Sequence, residues 1–207
     1  MSAPAPCPHC GAPLASALVC EACGELLEVG TPPTPFAVFG LEPSFELDLA
    51  ALQKRRLALA RRLHPDFHGT ADAETRRLAE DSSAALNQAH ATLSDEFRRA
   101  DWLVTHLGGP REQEERGMPA VFLQEVLEWN EAIAEARLGG TNAALAGLQR
   151  TLEEERARVR TSLRAELVPL TPEAARLRRA RQNLNSLRYL ERALGQLGEL
   201  ALAPRPS

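Results

Sequence analysis

Four cysteines fall in two copies of one pattern, Cys7-Pro8-His9-Cys10-Gly11 and Cys20-Glu21-Ala22-Cys23-Gly24, with nine residues between the pairs. Each Cys-x-x-Cys turn delivers two thiolates to one ion, and the glycine that follows permits the tight backbone turn. Two such turns close a tetrathiolate shell, the geometry Zn²⁺ favours in structural sites, with no open position for catalytic water. Cys7, Cys10, Cys20 and Cys23 are therefore the expected ligands of one structural zinc. Iron shares this spacing, so the choice between the two metals stays open. A pair of disulfides does not suit a reducing cytosol, and a redox Cys-x-x-Cys needs a βαβ context that is missing. His9, inside the first turn, is read as a bystander.

A second constellation is His64-Pro65-Asp66. No nucleophile, metal or second acid accompanies it, so a general acid–base pair is rejected and no enzyme is expected. The residue types fit recognition. Asp66 offers a carboxylate suited to a bidentate arginine contact, His64 offers an imidazole beside it, and Pro65 fixes the turn presenting both. Lys54, Arg55, Arg56, Arg61 and Arg62 precede it, five cations without an intervening acid.

The elements that must position these groups are helical. Residues 29–35, rich in proline, read as an extended linker between the cysteine segment and a helical body. A short helix or turn covers about 36–40, with Phe36 and Phe39 inward. Asp48 is a good N-cap for the next helix. Leu49, Leu52, Leu59 and Leu63 mark its buried stripe. Pro65 stops it at His64. The loop His68-Gly69-Thr70 leads to a helix from about Asp72 to Leu93. A short helix near 95–107 follows, and Gly108-Gly109-Pro110 ends the unit.

Beyond a polar connector, three amphipathic helices read as an antiparallel bundle. The first begins near Pro119 and ends near Gly139-Gly140. The second runs from about Thr141 to Leu167. The third follows the Thr171-Pro172-Glu173 cap. On a helical wheel Phe122, Val126, Trp129, Ile133 and Ala136 form the core stripe of the first. Leu123 and Leu127 fall away from it, among Gln124, Glu128, Glu131 and Glu135. Tyr189 also points away from the stripe of Leu184, Leu187, Leu190 and Leu194.

The helix–His-Pro-Asp–helix arrangement, with Leu86-Asn87-Gln88-Ala89-His90-Ala91-Thr92-Leu93 downstream, resembles a J-domain, the module that stimulates ATP hydrolysis by DnaK-type chaperones. The stretches Pro35-Phe36-Ala37-Val38-Phe39-Gly40-Leu41, Arg99-Ala100-Asp101-Trp102-Leu103 and Phe122-Leu123-Gln124-Glu125-Val126-Leu127-Glu128 are similar to the HscB family. So is Leu187-Arg188-Tyr189-Leu190. That family consists of J-proteins dedicated to iron–sulfur cluster assembly, and the cysteine segment resembles the zinc-binding extension of some members. The likeness spans about residues 35–197.

The resemblance implies an all-α, L-shaped molecule: a metal knuckle (1–30), a linker (31–35), a J-domain hairpin (36–109), a connector (110–117) and a three-helix bundle (118–207). It implies that His64, Pro65 and Asp66, with the basic face Lys54, Arg55, Arg61 and Arg62, meet an HscA- or DnaK-type ATPase. It implies that Leu123, Leu127 and Tyr189, rimmed by Glu128, Glu131 and Glu135, bind an IscU-type scaffold. Two departures stand out: Arg56 occupies a position often aromatic in J-domains, and Phe67 replaces the lysine often found after the aspartate.

Composition bounds the rest. Net charge is −4 and no recognition motif is present, so nucleic-acid binding through the knuckle ranks below the co-chaperone reading. A J-protein for general protein folding is the nearer rival. No apolar run reaches bilayer length, so no membrane role is expected. The first basic residue is Lys54, so a secretory signal and a transit peptide are not expected. Lys54 is the only lysine beside 23 arginines, a bias fitting a GC-rich bacterial genome and a cytoplasmic protein.

Overall fold

The computed structural model describes residues 5–28, 32–64, 72–137 and 142–202. Among them the chain is all-α, with seven helices and, outside them, only the isolated bridges Pro6–Pro13 and Val19–Leu26. It divides into two compact units, Met1–Arg99 and Ala100–Ser207.

In the first unit, α1 (Pro35–Phe39) starts with proline at its first position and is capped by Thr34, whose hydroxyl accepts from the Ala37 amide at 3.1 Å. Gly40 ends it at φ 66°, in the left-handed region where glycine carries no Cβ penalty. Helix α2 (Leu49–Leu63) is capped by Asp48 Oδ1, which accepts from the Ala50 and Ala51 amides at 2.9 and 3.0 Å. Helix α3 (Ala73–Ser94) is capped by Asp72, which accepts from Thr75 at 2.8 Å. That backbone hydrogen bond holds the Asp72 carboxyl below the usual range.

α2 and α3 pack antiparallel. Near one end Ser83 donates to the Leu63 carbonyl, and two turns back along α2 Arg56 reaches Asn87, one turn on along α3. Leu52, Leu59 and Leu63 face Ala79, Leu86, Ala89 and Leu93 in a core completed by Phe36, Val38 and Phe39 of α1. Leu49 departs from its expected place in the buried stripe and is 48% exposed. It lies at the first helical position, about 40–80° around the wheel from the three buried leucines. Arg99, early in α4 (Glu96–His106), is buried. Its Nε donates to the Phe45 carbonyl at 2.8 Å, its Nη1 donates to the Leu93 carbonyl, and its guanidinium lies over the Phe45 ring.

In the second unit, α5 (Ala120–Arg137), α6 (Asn142–Leu167) and α7 (Ala174–Leu202) pack on one another, with α6 and α7 in the most extensive contact. Phe122, Trp129 and Ile133 of α5 are buried, as are Leu152, Val159 and Leu163 of α6. Leu177, Leu184, Leu187, Leu190 and Leu197 of α7 complete the core. The expected glycine stop of α5, Gly139-Gly140, and Thr141 lie outside the described residues, as does the side chain of Ala136. Residues 110–117 are pinned to α7. Arg181, 1% exposed, donates to the Pro110 carbonyl at 2.9 Å and pairs with Asp101. Asn185 donates to the carbonyls of Glu115 and Gly117 at 3.0 and 2.8 Å.

Candidate metal centre and docking surfaces

The two cysteine turns are built alike. In the first, the Cys7 amide donates to the Ala12 carbonyl and the Gly11 amide to the Cys7 carbonyl, both at 2.8 Å. In the second, Cys20 donates to Glu25 and Gly24 to Cys20, again at 2.8 Å. Gly11 and Gly24 take φ values of 75° and 79°, which is why each turn needs a glycine there.

The four sulfurs lie within 4.8 Å of one another, with Cys7–Cys23 at 3.8 Å and Cys10–Cys20 at 3.7 Å. A tetrahedral ion with metal–sulfur bonds of about 2.3 Å sets its sulfurs roughly 3.8 Å apart. A disulfide needs about 2.05 Å, and all four cysteines are free. The donor set therefore fits a metal ion. Cys20 is primed as a thiolate: the hydrogen bond from the Cys23 amide leads in lowering its pKa to about 6. At Cys23 a lowering hydrogen bond from the Glu25 backbone is outweighed by desolvation and the neighbouring sulfurs, which push it up to about 12. A cation at the centre removes that crowding of like charge. His9 is exposed, with Nδ1 4.0 Å from a Glu25 carboxylate oxygen.

The sequence places a linker between this knuckle and the helical body. In the structure the two pack together across it. Ser16 Oγ donates to the Val38 carbonyl at 2.8 Å and the Ala17 amide to the Ala37 carbonyl at 3.1 Å. Leu18 and Val19 are buried. Two cations of α2 also reach the knuckle. Arg55 Nη2 donates to the Ala15 carbonyl at 2.8 Å and pairs with the Glu21 carboxylate. Arg62 Nη1 donates to the Glu21 carbonyl at 2.8 Å. The Arg55 guanidinium holds the Glu21 carboxyl below its usual range. One signal for this pairing was legible: an acidic N-terminal segment without lysine or arginine, followed by a helix with five cations and no acid.

His64 caps the C-terminal end of α2 in extended geometry (φ −64°, ψ 130°) and is exposed. Pro65 and Asp66, and with them Phe67, lie outside the described residues. Lys54 and Arg61 are exposed. Arg56, at the departure from the aromatic pattern, reaches Asn87 on α3 at 3.2 Å.

On α5, Leu123 and Leu127 are 44% and 66% exposed, and Glu128, Glu131 and Glu135 are exposed with them. The second apolar face read from the wheel is real. Tyr189 corrects the simple expectation that it points away from the core. Its ring stacks on Trp129 with centroids 6.3 Å apart and meets Phe122 edge-on at 5.9 Å. Its hydroxyl donates to Asn130 Oδ1 at 3.0 Å, and burial pushes its pKa up. Asn130 shares the Leu123–Leu127 flank by helical register, so the hydroxyl is tied to that flank while the ring joins the seam of α5 and α7. Sequence reasoning missed Asn130, Arg181 and Asn185, whose partners carry no periodic signal.

Comparisons with known proteins bear on the family and the fold. Residues 118–197 match the family described as the HSCB C-terminal oligomerisation domain. A co-chaperone protein HscB homolog of Ralstonia nicotianae is 40% identical over 131 residues, 62% of this chain and 74% of the relative. The homolog of Bordetella pertussis is 37% identical over 134 residues, 64% of this chain and 77% of its own length. Among solved structures, the chaperone HscB from Vibrio cholerae superposes with a TM-score of 0.65 at 25% identity, covering 81% of this chain and 96% of that one. The human co-chaperone protein HscB shares the fold with a TM-score of 0.74 at 23% identity, covering 94% and 97%. With curated relatives this similar matched over about three quarters of their length, and with the hairpin, bundle and cysteine knuckle all in place, the chain belongs to the HscB family of co-chaperone proteins.

Proposed function

We propose that this protein binds an IscU-type iron–sulfur scaffold with its second unit and stimulates ATP hydrolysis by an HscA- or DnaK-type chaperone with its first, in a bacterial cytoplasm. It carries no catalytic chemistry of its own. The observation that carries this reading is the α2–α3 pair. A capped, antiparallel helix pair ends at an exposed His64 in extended geometry, followed in sequence by Pro65 and Asp66. The His64-Pro65-Asp66 sequence offers an imidazole and a carboxylate for a partner's hinge, where a bidentate arginine can be engaged. Lys54 and Arg61 on the same helix raise the encounter rate with an acidic surface, an effect that weakens with salt.

The scaffold surface combines an apolar centre, Leu123 and Leu127, with the acidic rim Glu128, Glu131 and Glu135, a pattern common in transient interfaces. Tyr189 extends it from α7. Holding scaffold and ATPase on one chain raises the effective concentration of one at the other. The tetrathiolate centre holds one structural zinc, which supplies folding energy to a segment too small to fold on its own core.

The test is ATP turnover by the host's HscA or DnaK protein, with and without its IscU protein. The wild-type chain accelerates turnover, and the scaffold raises it further. His64→Gln abolishes the acceleration while circular dichroism and thermal stability stay unchanged. Equal stimulation by the variant refutes the assignment.

A further inference from the structure

The five cations of α2 do not form one surface. At about 100° per residue, Arg55 and Arg62 lie ~20° apart on one row, Lys54 and Arg61 lie ~20° apart on a second, and Arg56 stands alone. The structure gives each row a different neighbour. Arg56 turns to Asn87 of α3. Lys54 and Arg61 are exposed beside Leu57, itself 48% exposed. Arg55 and Arg62 converge on Glu21, one through the carboxylate and one through the carbonyl. Glu21 sits between Cys20 and Cys23, so its position is set by the turn that the metal closes.

We propose that the metal knuckle is a built-in competitor for the docking helix: Glu21 holds Arg55 and Arg62, and metal occupancy sets how much of the positive face of α2 an acidic partner can reach. This rests on the docking role of α2 put forward above. An acidic partner offers α2 carboxylates and carbonyl oxygens, which is what Glu21 already supplies. The knuckle supplies them intramolecularly, at an effective concentration no dilute partner matches. Part-burial adds strength: the side chains of Arg55 and Glu21 are 28% and 31% exposed, so solvent screens the pair less than a surface bridge. Losing the ion loosens the Cys20–Cys23 turn, because tetrathiolate closure and local folding are one equilibrium. The metal-loaded chain then presents Lys54, Arg61 and Leu57, while Arg62, though exposed, is bonded to the Glu21 carbonyl. The metal-free chain adds Arg55 and Arg62, doubling the cations on that side of the helix.

The test uses the full chain, its zinc content fixed by elemental analysis, with heparin as a polyanion probe. Each cation engaged on a polyanion adds roughly one to the slope of log affinity against log salt. Relative to zinc-loaded wild type, zinc-loaded Glu21→Gln should steepen the slope by about one, because it frees Arg55 while the Glu21 carbonyl still holds Arg62. Stripping the zinc from wild type, which loosens the carbonyl as well as the carboxylate, should steepen it by about two. Glu25→Gln, which removes an equal charge from the same knuckle, should not. Combined Arg55→Ala and Arg62→Ala should leave zinc-loaded wild type little changed and abolish the rise in Glu21→Gln. Equal slopes for wild type and Glu21→Gln, or an equal loss from the arginine substitutions in both backgrounds, overturn the clamp.

The same chains are then titrated with the ATP-bound DnaK-type chaperone at low salt, where Glu21→Gln should bind about threefold tighter or more. Unchanged chaperone affinity alongside altered heparin slopes overturns the competitor role. Failure of Lys54→Ala with Arg61→Ala to weaken chaperone binding refutes instead the docking role on which the proposal rests.

Discussion

Gly40→Ala tests how tightly the knuckle is seated. Gly40 holds φ 66° at the end of α1, and a Cβ there would lie 2.0 Å from the Ala15 carbonyl oxygen and 2.9 Å from its carbon. Carbon–oxygen contacts settle at about 3.3–3.6 Å, so the knuckle backbone must retreat by roughly 1.3 Å or more. Three hydrogen bonds are anchored at that point: Arg55 to Ala15 and Ser16 to Val38, each 2.8 Å, and Ala17 to Ala37 at 3.1 Å. A retreat of that size carries them past bonding range, at a net ~1 kcal/mol each. The left-handed conformation costs an alanine about another 1 kcal/mol. The expected loss is therefore about 4 kcal/mol. Gly11→Ala is the control, since Gly11 has φ 75° but nothing within 4 Å of its Cβ position. It should lose only the conformational ~1 kcal/mol. Urea unfolding of the zinc-loaded chain reads both, and hydrogen exchange at the Ala17 amide reports the retreat locally. If Gly40→Ala costs no more than Gly11→Ala, or Ala17 keeps its protection, the knuckle is not docked as described.

Two further outcomes follow from the second unit. Leu123→Ala with Leu127→Ala removes side chains that are 44% and 66% exposed, so thermal stability should move by less than about 0.5 kcal/mol per site. Scaffold affinity, measured by calorimetry, should fall tenfold or more while scaffold-free ATPase stimulation stays level. Glu155 is 6% exposed, and desolvation, opposed by Arg158, raises its carboxyl above the ordinary value of 4.5. A raised native pKa means that the stabilisation from holding the proton is full below 4.5 and is lost as pH rises through the native value. Glu155→Gln should thus gain stability relative to wild type as pH rises through the native value and converge with it as pH falls toward the unfolded value. Parallel stability–pH curves for the two proteins, from pH 4 to 8, would contradict this.

Much of the architecture was legible because it rests on local chemistry. Asp48 announced its helix as a cap and caps it in the structure, and the helix expected from about Asp72 begins just after that residue. The tetrathiolate was legible because its ligands come as two short repeats. The exposed leucines of α5 were legible because a second apolar face violates a one-stripe helix. What escaped depends on partners distant in sequence. Arg55 and Arg62 meet Glu21 across 34 and 41 residues, and Arg181 meets Asp101 across 80. Neither leaves a period to detect. Tyr189 shows the remaining gap: a wheel reports direction on its own helix, not that α5 brings Phe122 and Trp129 to meet the ring.

The bracing of residues 110–117 onto α7 has a consequence for chimeras. A splice that exchanges bundles between relatives at Gly117 would transplant Arg181 and Asn185 away from the carbonyls of Pro110 and Glu115 and from Asp101. A guanidinium sealed in the interior would be left without its acceptors. The transferable module therefore starts at or before Asp101, and a swap should respect that border even though the matched family segment begins at residue 118.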